Sequence, residues 1–104
     1  MPDPIRIRAQ AAGDHAVVRV LIRHEMESGQ RQDAMGRRVA AHFVREVRAT
    51  HNGLTLFTAE WGPWVARDPI LSFEVKAARV GDRIGICWRD DQGQSRSDET
   101  TVVP

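Results

Sequence analysis

Turn signals divide this chain into short apolar runs, and their spacing constrains the fold more than any other feature. Each signal combines glycine, proline, asparagine or aspartate, the residues that favour the backbone angles of tight turns. The signals fall at 51–53, 62–63, 68–69, 81–82 and 90–93. Short runs between regular turns are typical of a small all-β sandwich, in which activity is displayed on loops and edges.

Seven of these runs alternate or cluster their apolar residues as strands do. They cover 5–10, 15–23, 43–51, 54–61, 70–77, 83–90 and 95–103. Arg45 interrupts the apolar face of the third run, which predicts a bulge or a late start there. The segment 24–38 is a long irregular connection, and a short helix over 40–44 is an alternative to the start of the third strand. We predict one immunoglobulin-like β-sandwich domain over residues 1–104.

Composition excludes several classes of function. The 104 residues carry 15 basic and 14 acidic side chains, a net charge of +1, which lacks the basic excess of a nucleic-acid-binding domain. No run is long and apolar enough to cross a bilayer, and the first ten residues lack the apolar core of a signal peptide. The single cysteine, Cys87, has no internal disulfide partner. Composition alone therefore predicts a cytoplasmic location.

The residue types that bind metals or act as nucleophiles are scattered. His15, His24, His42 and His51 form no metal-binding motif, and a site would need Glu25 or Cys87 to complete it. We interpret the histidines as separate surface or hydrogen-bonded residues and predict no metal and no cofactor.

Cys87 lies within a strand, which favours an inert structural role, although the alternation leaves an outward orientation open. The pairs Asp90-Asp91 and Asp98-Glu99 fall in turn or edge sequence, where solvation is the simplest interpretation. No catalytic constellation emerges, so we predict that the chain is not an enzyme.

The fourth run is apolar on both faces. Leu54 and Leu56 lie on one face, and Phe57, Ala59 and Trp61 lie on the other. With Trp64 in the following loop, this pattern indicates either a surface completed by another protein or a strand covered by the chain's own loops. We choose five residues as candidate partner-interface anchors: Leu54, Leu56, Phe57, Trp61 and Trp64.

Several separated segments, in order, resemble the SoxZ family. They are DPIRIRA at 3–9, HEMESGQR at 24–31 with Asp33 beside it, HNG at 51–53, EWGPWVARDPILSF at 60–73 and GDRIGICWRDDQG at 81–93. The resemblance covers nearly the whole chain. Trp64 departs from it, because the family commonly carries a smaller residue at that place.

The resemblance implies a subunit of the SoxYZ complex, the carrier of bacterial thiosulfate oxidation. In that complex a cysteine near the carboxyl terminus of SoxY carries the sulfur intermediates, while separate enzymes load, hydrolyse and oxidise them. SoxZ is the immunoglobulin-like partner of SoxY in a heterodimer or heterotetramer. The tail 98–104 has neither cysteine nor glycine, which agrees with the partner role. On this interpretation the location is the periplasm, reached by co-export with SoxY.

We therefore predict a non-catalytic scaffold that binds SoxY and contacts the Sox oxidising and hydrolysing enzymes transiently. His24, Glu25, Arg31 and Asp33 are our candidates for the loop near the carrier arm. Two alternatives remain from other classes: a mononuclear-iron redox protein similar to superoxide reductases, and a homodimerising immunoglobulin-like binding module. Stoichiometric iron in the purified chain indicates the first, and self-association without SoxY indicates the second.

Overall fold

The fold is a sandwich of two antiparallel sheets, seen in a computed structural model that describes residues 2–104. The strands are β1 (Arg6–Ala12), β2 (His15–Leu21), β3 (Val44–His51), β4 (Leu54–Glu60), β5 (Ile70–Lys76), β6 (Arg83–Asp90) and β7 (Ser95–Thr101). One sheet has the order β1-β2-β5 and the other has the order β4-β3-β6-β7. The predicted all-β, seven-strand sandwich is confirmed.

The core lies between the sheets and takes alternate residues from the strands. Val18 and Val20 of β2 face Ile84, Ile86 and Trp88 of β6 across the interior, and all five are almost fully buried. Burial of each such side chain stabilises the fold by about 1.5–3 kcal/mol before the entropy of ordering is subtracted. Residues between them in sequence point outward, so each sheet has an outer face with its own chemistry.

The two sides of the sandwich are closed differently. On one side, Val103 bridges to β1, where the Ala11 amide donates to Val103 O at 2.8 Å and the Val103 amide donates to Ala9 O at 3.0 Å. On the other side, β4 and β5 are edge strands with no partner strand among residues 2–104. Phe57 of β4 and Phe73 of β5 meet across this opening, edge to face, with ring centroids 5.0 Å apart.

Most predicted strand boundaries lie within two residues of the structure. The third strand starts late, at Val44, and its pairing with β6 shifts register between Val44 and Glu46, so the expected irregularity at Arg45 is confirmed. Ala40–Val44 does not form the alternative helix; His42 instead bridges to Glu27. The irregular connection runs over 22–43 and forms a second isolated bridge between Gln32 and Arg38. No helix described over residues 2–104 has the length and apolar character needed to span a membrane.

Candidate functional site

The predicted interface residues on and after β4 differ in exposure. Leu54 is 75% exposed and Leu56 is 40% exposed. Leu54 lies opposite His51 at the hairpin end, in the same row as Ala49 and Phe57 but beyond the packed core. Phe57 and Trp61 are partly buried and pack against the chain's own core. The pairing places Ala49 opposite Phe57 and Thr50 opposite Thr55, so a bulge leaves Leu56 outside the register. Leu54 and Leu56 are therefore the large apolar side chains of this strand that do not pack against the core, and we call them the outward leucines and their exposed surface the outward side of β4.

Trp64 is exposed but held in place. Its side chain is 80% exposed, and its six-membered ring lies against the backbone of Gly62, where a Cβ atom would collide with it. The Val65 amide donates to Gly62 O at 3.2 Å and closes the turn. Gly62 is therefore needed for space. The large residue at position 64 is accommodated by this close approach, and it adds an aromatic surface to the loop after β4.

The four candidate residues for the carrier-arm loop have different roles in the structure. Glu25 and Arg31 are exposed, and the Arg31 guanidinium forms a forked pair with Glu27, with Nη2 2.7 Å from Oε1. The Asp33 carboxylate accepts from the Met35 and Arg37 amides, both at 2.9 Å, and closes a turn. His24 is buried, so its side chain acts inside the base of the loop rather than on its surface.

The base of the 22–43 connection contains a cluster of two histidines and one aspartate. His24 Nε2 lies 3.1 Å from Asp90 Oδ2, and His42 Nε2 lies 2.8 Å from the same oxygen. The side chain of Asp90 has no exposed surface. The two imidazole rings are in contact, with centroids 4.6 Å apart, and His24 packs edge-on against Trp88. The interpretation of the histidines as separate is wrong for this pair, and the solvation expected for Asp90 is also wrong.

The second carboxylate oxygen of Asp90 is satisfied as well. Oδ1 accepts from the backbone amides of Gln92 at 3.0 Å and Gln94 at 2.8 Å, because the 90–94 turn wraps around it. Burial opposes ionisation of this carboxyl, yet the hydrogen bonds from His24, His42 and the two amides lower its pKa. A fully paired anion of this kind joins the loop base, the end of β6 and the following turn.

The charge on Asp90 also acts on His42. Burial disfavours the imidazolium, but the hydrogen bond to Asp90 and the negative charges of Asp90, Glu25 and Asp91 raise the pKa of His42. Its Nδ1 lies 3.7 Å from Glu25 Oε2 at the surface. The cluster can therefore take up a proton at His42 without losing any of its hydrogen bonds.

His24, His42 and Asp90 also have the donor atoms of a metal site, and these atoms lie within 4.8 Å of one another. The hydrogen bonds favour protons over a metal ion. The Met26 amide can only donate, and it lies 3.1 Å from His24 Nδ1, so Nδ1 accepts and Nε2 carries the proton directed at Asp90. A metal ligand normally has the opposite arrangement, with its second ring nitrogen donating. The cluster therefore fits a structural role better than cation binding.

The remaining reactive residue types lie apart from this cluster. Cys87 is half-buried on the outer face of the four-stranded sheet, in register with Arg48 on β3 and Ser97 on β7. The outward orientation that the alternation left open is the one observed, because Ile86 and Trp88 occupy the interior. His51 binds Asp82 at 2.7 Å at the hairpin end of the molecule, and His15 lies 3.1 Å from Asp14.

Comparison with known proteins identifies the family. A search of curated proteins finds no match to the chain. The family model for "Sulphur oxidation protein SoxZ" matches residues 5–101, which include all seven strands and the 22–43 connection. Membership implies a role in sulfur oxidation in association with other proteins of the Sox system. With almost the whole sandwich covered by the match, the chain belongs to the SoxZ family.

Proposed function

We propose that this chain is a non-catalytic scaffold subunit that binds SoxY, the protein whose C-terminal cysteine carries the sulfur intermediates of thiosulfate oxidation. The observation that carries the proposal is the exposure of Leu54 and Leu56 on an edge strand, where neither side chain packs against the core. Membership of the SoxZ family supports the choice of partner.

The outward side of β4 has the properties of an interface. Large exposed apolar side chains that lie close together on a small soluble domain mark a surface that another protein covers. An edge strand also presents unpaired backbone groups, which favour association with a second chain. Leu54 and Leu56 are the anchors we propose on β4, and Trp64 extends the surface beyond the strand. Phe57 and Trp61 support the strand from behind.

The position of the single cysteine supports the role of scaffold over that of carrier. A carrier thiol has to move freely between enzymes. Cys87 lies within β6, a central strand. We therefore assign the moving thiol to SoxY.

The 22–43 connection is the part of the chain that we propose to lie near the carrier arm. Glu25 and Arg31 are its exposed candidates, and transient contact with the oxidising and hydrolysing Sox enzymes would occur there. The proposed location is the periplasm, with export together with SoxY. The buried cluster at the base of this connection would hold its shape while partners bind and leave.

Co-expression with SoxY tests the proposal. We expect a stable complex by size-exclusion chromatography with light scattering, and no sulfur-oxidising activity from this chain alone. The double substitution Leu54→Ser and Leu56→Ser should weaken the complex by about thirtyfold, the effect of losing roughly 2 kcal/mol of apolar contact.

Ile70→Ser is the matched control, because Ile70 is 76% exposed on the other sheet, as Leu54 is on this one. It should leave SoxY binding unchanged. Equal weakening by both variants would contradict the β4 interface. A homodimer that ignores SoxY, or stoichiometric iron in the purified chain, would contradict the scaffold function itself.

A further inference from the structure

Three arginines form an unpaired basic surface on the outer face of the three-stranded sheet. The register places Arg8 of β1 directly opposite Arg19 of β2, and Arg6 opposite Leu21 in the adjacent row. Ile70 of β5 completes that row beside Leu21. We call this surface the arginine face: Arg6, Arg8, Arg19, Leu21 and Ile70.

The arginines of this face have no ion-pair partner. Arg31, Arg89 and Arg96 pair with Glu27, Glu46 and Asp98 at 2.7–3.2 Å. By contrast, Arg6, Arg8 and Arg19 take part in none of the ion pairs within 4.0 Å that are found over residues 2–104. Other exposed arginines share this property, so what sets the face apart is that two of its arginines lie directly opposite each other on paired strands.

The arrangement also opposes folding of the free chain. Like charges directly opposite each other on neighbouring strands are destabilising. Arg8 and Arg19 are both exposed. Ser72 lies directly opposite Arg19 on β5, with Ile70 and Glu74 on either side of it. The Glu74 carboxylate lies 3.9 Å from His15 and forms no ion pair with either arginine. A repulsive pair beside an exposed isoleucine is consistent with a surface that is neutralised and covered when a partner binds.

The shape of the face indicates a polypeptide rather than a small ion. Cavities of about 240 and 330 Å³ flank the arginines, and both are open depressions whose linings include Arg8 and Arg19. The backbone amides between β1 and β2 are used in the sheet, so they do not help to enclose an anion. Arginine binds carboxylates with paired, directional hydrogen bonds, and Leu21 and Ile70 add an apolar contact that a small oxyanion cannot use.

We propose that the arginine face is a docking surface for an acidic polypeptide segment of another protein, with carboxylates on Arg8 and Arg19 and an apolar side chain on Ile70. The arginines of this surface lie on β1 and β2 of the other sheet, and not on β5, the edge strand that borders β4. The inference does not depend on the identity of the β4 partner.

A peptide titration tests this inference on the full chain, alone and with β4 occupied by SoxY. The probe is a short synthetic peptide in which glutamate pairs flank one leucine. Binding is measured by NMR of the backbone amides of the protein. We expect shift changes confined to β1, β2 and β5, and weaker binding as salt increases. Peptides with glutamine for glutamate, or serine for leucine, should bind less tightly.

Matched variants distinguish peptide binding at the arginine face from attraction to positive charge anywhere on the protein. Arg8→Gln with Arg19→Gln should weaken binding about tenfold, whereas Arg38→Gln with Arg79→Gln, which removes the same charge from exposed sites elsewhere, should change it less than about twofold. Equal loss in both pairs would overturn the proposal, as would shift changes on β4.

Two further outcomes would also overturn it: competition by inorganic phosphate at concentrations equal to those of the peptide carboxylates, and self-association through this face in place of peptide binding. Circular dichroism of each variant confirms that it is folded. Failure of these tests would leave SoxY binding at β4 unaffected, so the two proposals fail separately.

Discussion

The base of the 22–43 connection and the outward side of β4 both depart from the usual distribution of residues, in opposite directions. The first buries polar side chains: His24 and Asp90 are inside, and His42 is largely covered. The second exposes large apolar side chains, Leu54 and Leu56. A buried polar group and an exposed apolar surface are the two departures that carry information in a folded chain.

The two regions differ in whether the chain itself supplies the hydrogen bonds or the apolar contacts that they require. Both oxygens of Asp90 accept two hydrogen bonds, so the buried charge is compensated internally. The outward leucines have no such cover, because both are exposed and neither packs against the core of the chain. We conclude that the first region stabilises the structure, and we propose that the second is a surface that a partner protein covers.

The largest effect should come from Asp90→Asn. This change leaves two imidazole N–H groups and two amides without their charged acceptor, and we expect a loss of about 3 kcal/mol in the free energy of unfolding by urea titration. Asp82→Asn is the control. The Arg79 amide and His51 hold the pKa of Asp82 down to about 2, but that pair lies near the surface. A similar small loss in both variants would mean that the buried cluster does not hold the loop.

A smaller loss of stability should follow Phe57→Ala. Its ring packs against Phe73 and the edge of the core, so we expect the free energy of unfolding to fall by about 2 kcal/mol. Affinity for SoxY, measured by calorimetry well below the melting temperature, should change little. Leu56→Ser should show the reverse pattern. If Phe57→Ala impaired binding while leaving stability intact, the division between the outward leucines and the packed Phe57 would be incorrect.

The smallest effect should come from the substitution His42→Gln, which should change how the melting temperature depends on pH. Because the pKa of His42 is raised in the fold, its protonated form adds stability that is fully present below about pH 6.5, the ordinary value. That contribution is lost as pH rises through the higher folded-state value.

We therefore expect the wild-type melting temperature to fall as the pH rises above about 6.5, and the fall to be reduced in His42→Gln. His15→Gln, which alters a histidine on the outer face of the other sheet, should retain it. An unchanged fall in His42→Gln would contradict the assignment of this titration to the buried cluster.

Much of the architecture could be predicted because strand alternation and turns are local signals. The bounds of β6 follow directly from the alternation of Ile84, Ile86 and Trp88 between two turns. The excess of apolar residues on β4 is also evident in the sequence. Its division into a Leu54 and Leu56 face and a Phe57 face is wrong for Leu54, because the bulge at Leu56 places Leu54 in the same row as Phe57, and a bulge depends on pairing with β3, which is not a local signal.

The buried cluster could not be predicted for the same reason. His24 and Asp90 are 66 positions apart, and they meet only because the loop returns to the end of β6. In sequence, Asp90 belongs to a hydrophilic turn, which predicts a solvated side chain. A signal was present in part: position 90 continues the inward parity of β6, which places its side chain on the core side.

Amide hydrogen exchange of the chain, free and bound to SoxY, tests the central claim most directly. The account predicts that binding slows exchange along β4, residues 54–60, and leaves the amides of β2 unchanged. Protection that appears on β1 and β2 while β4 exchanges at its free rate would contradict it.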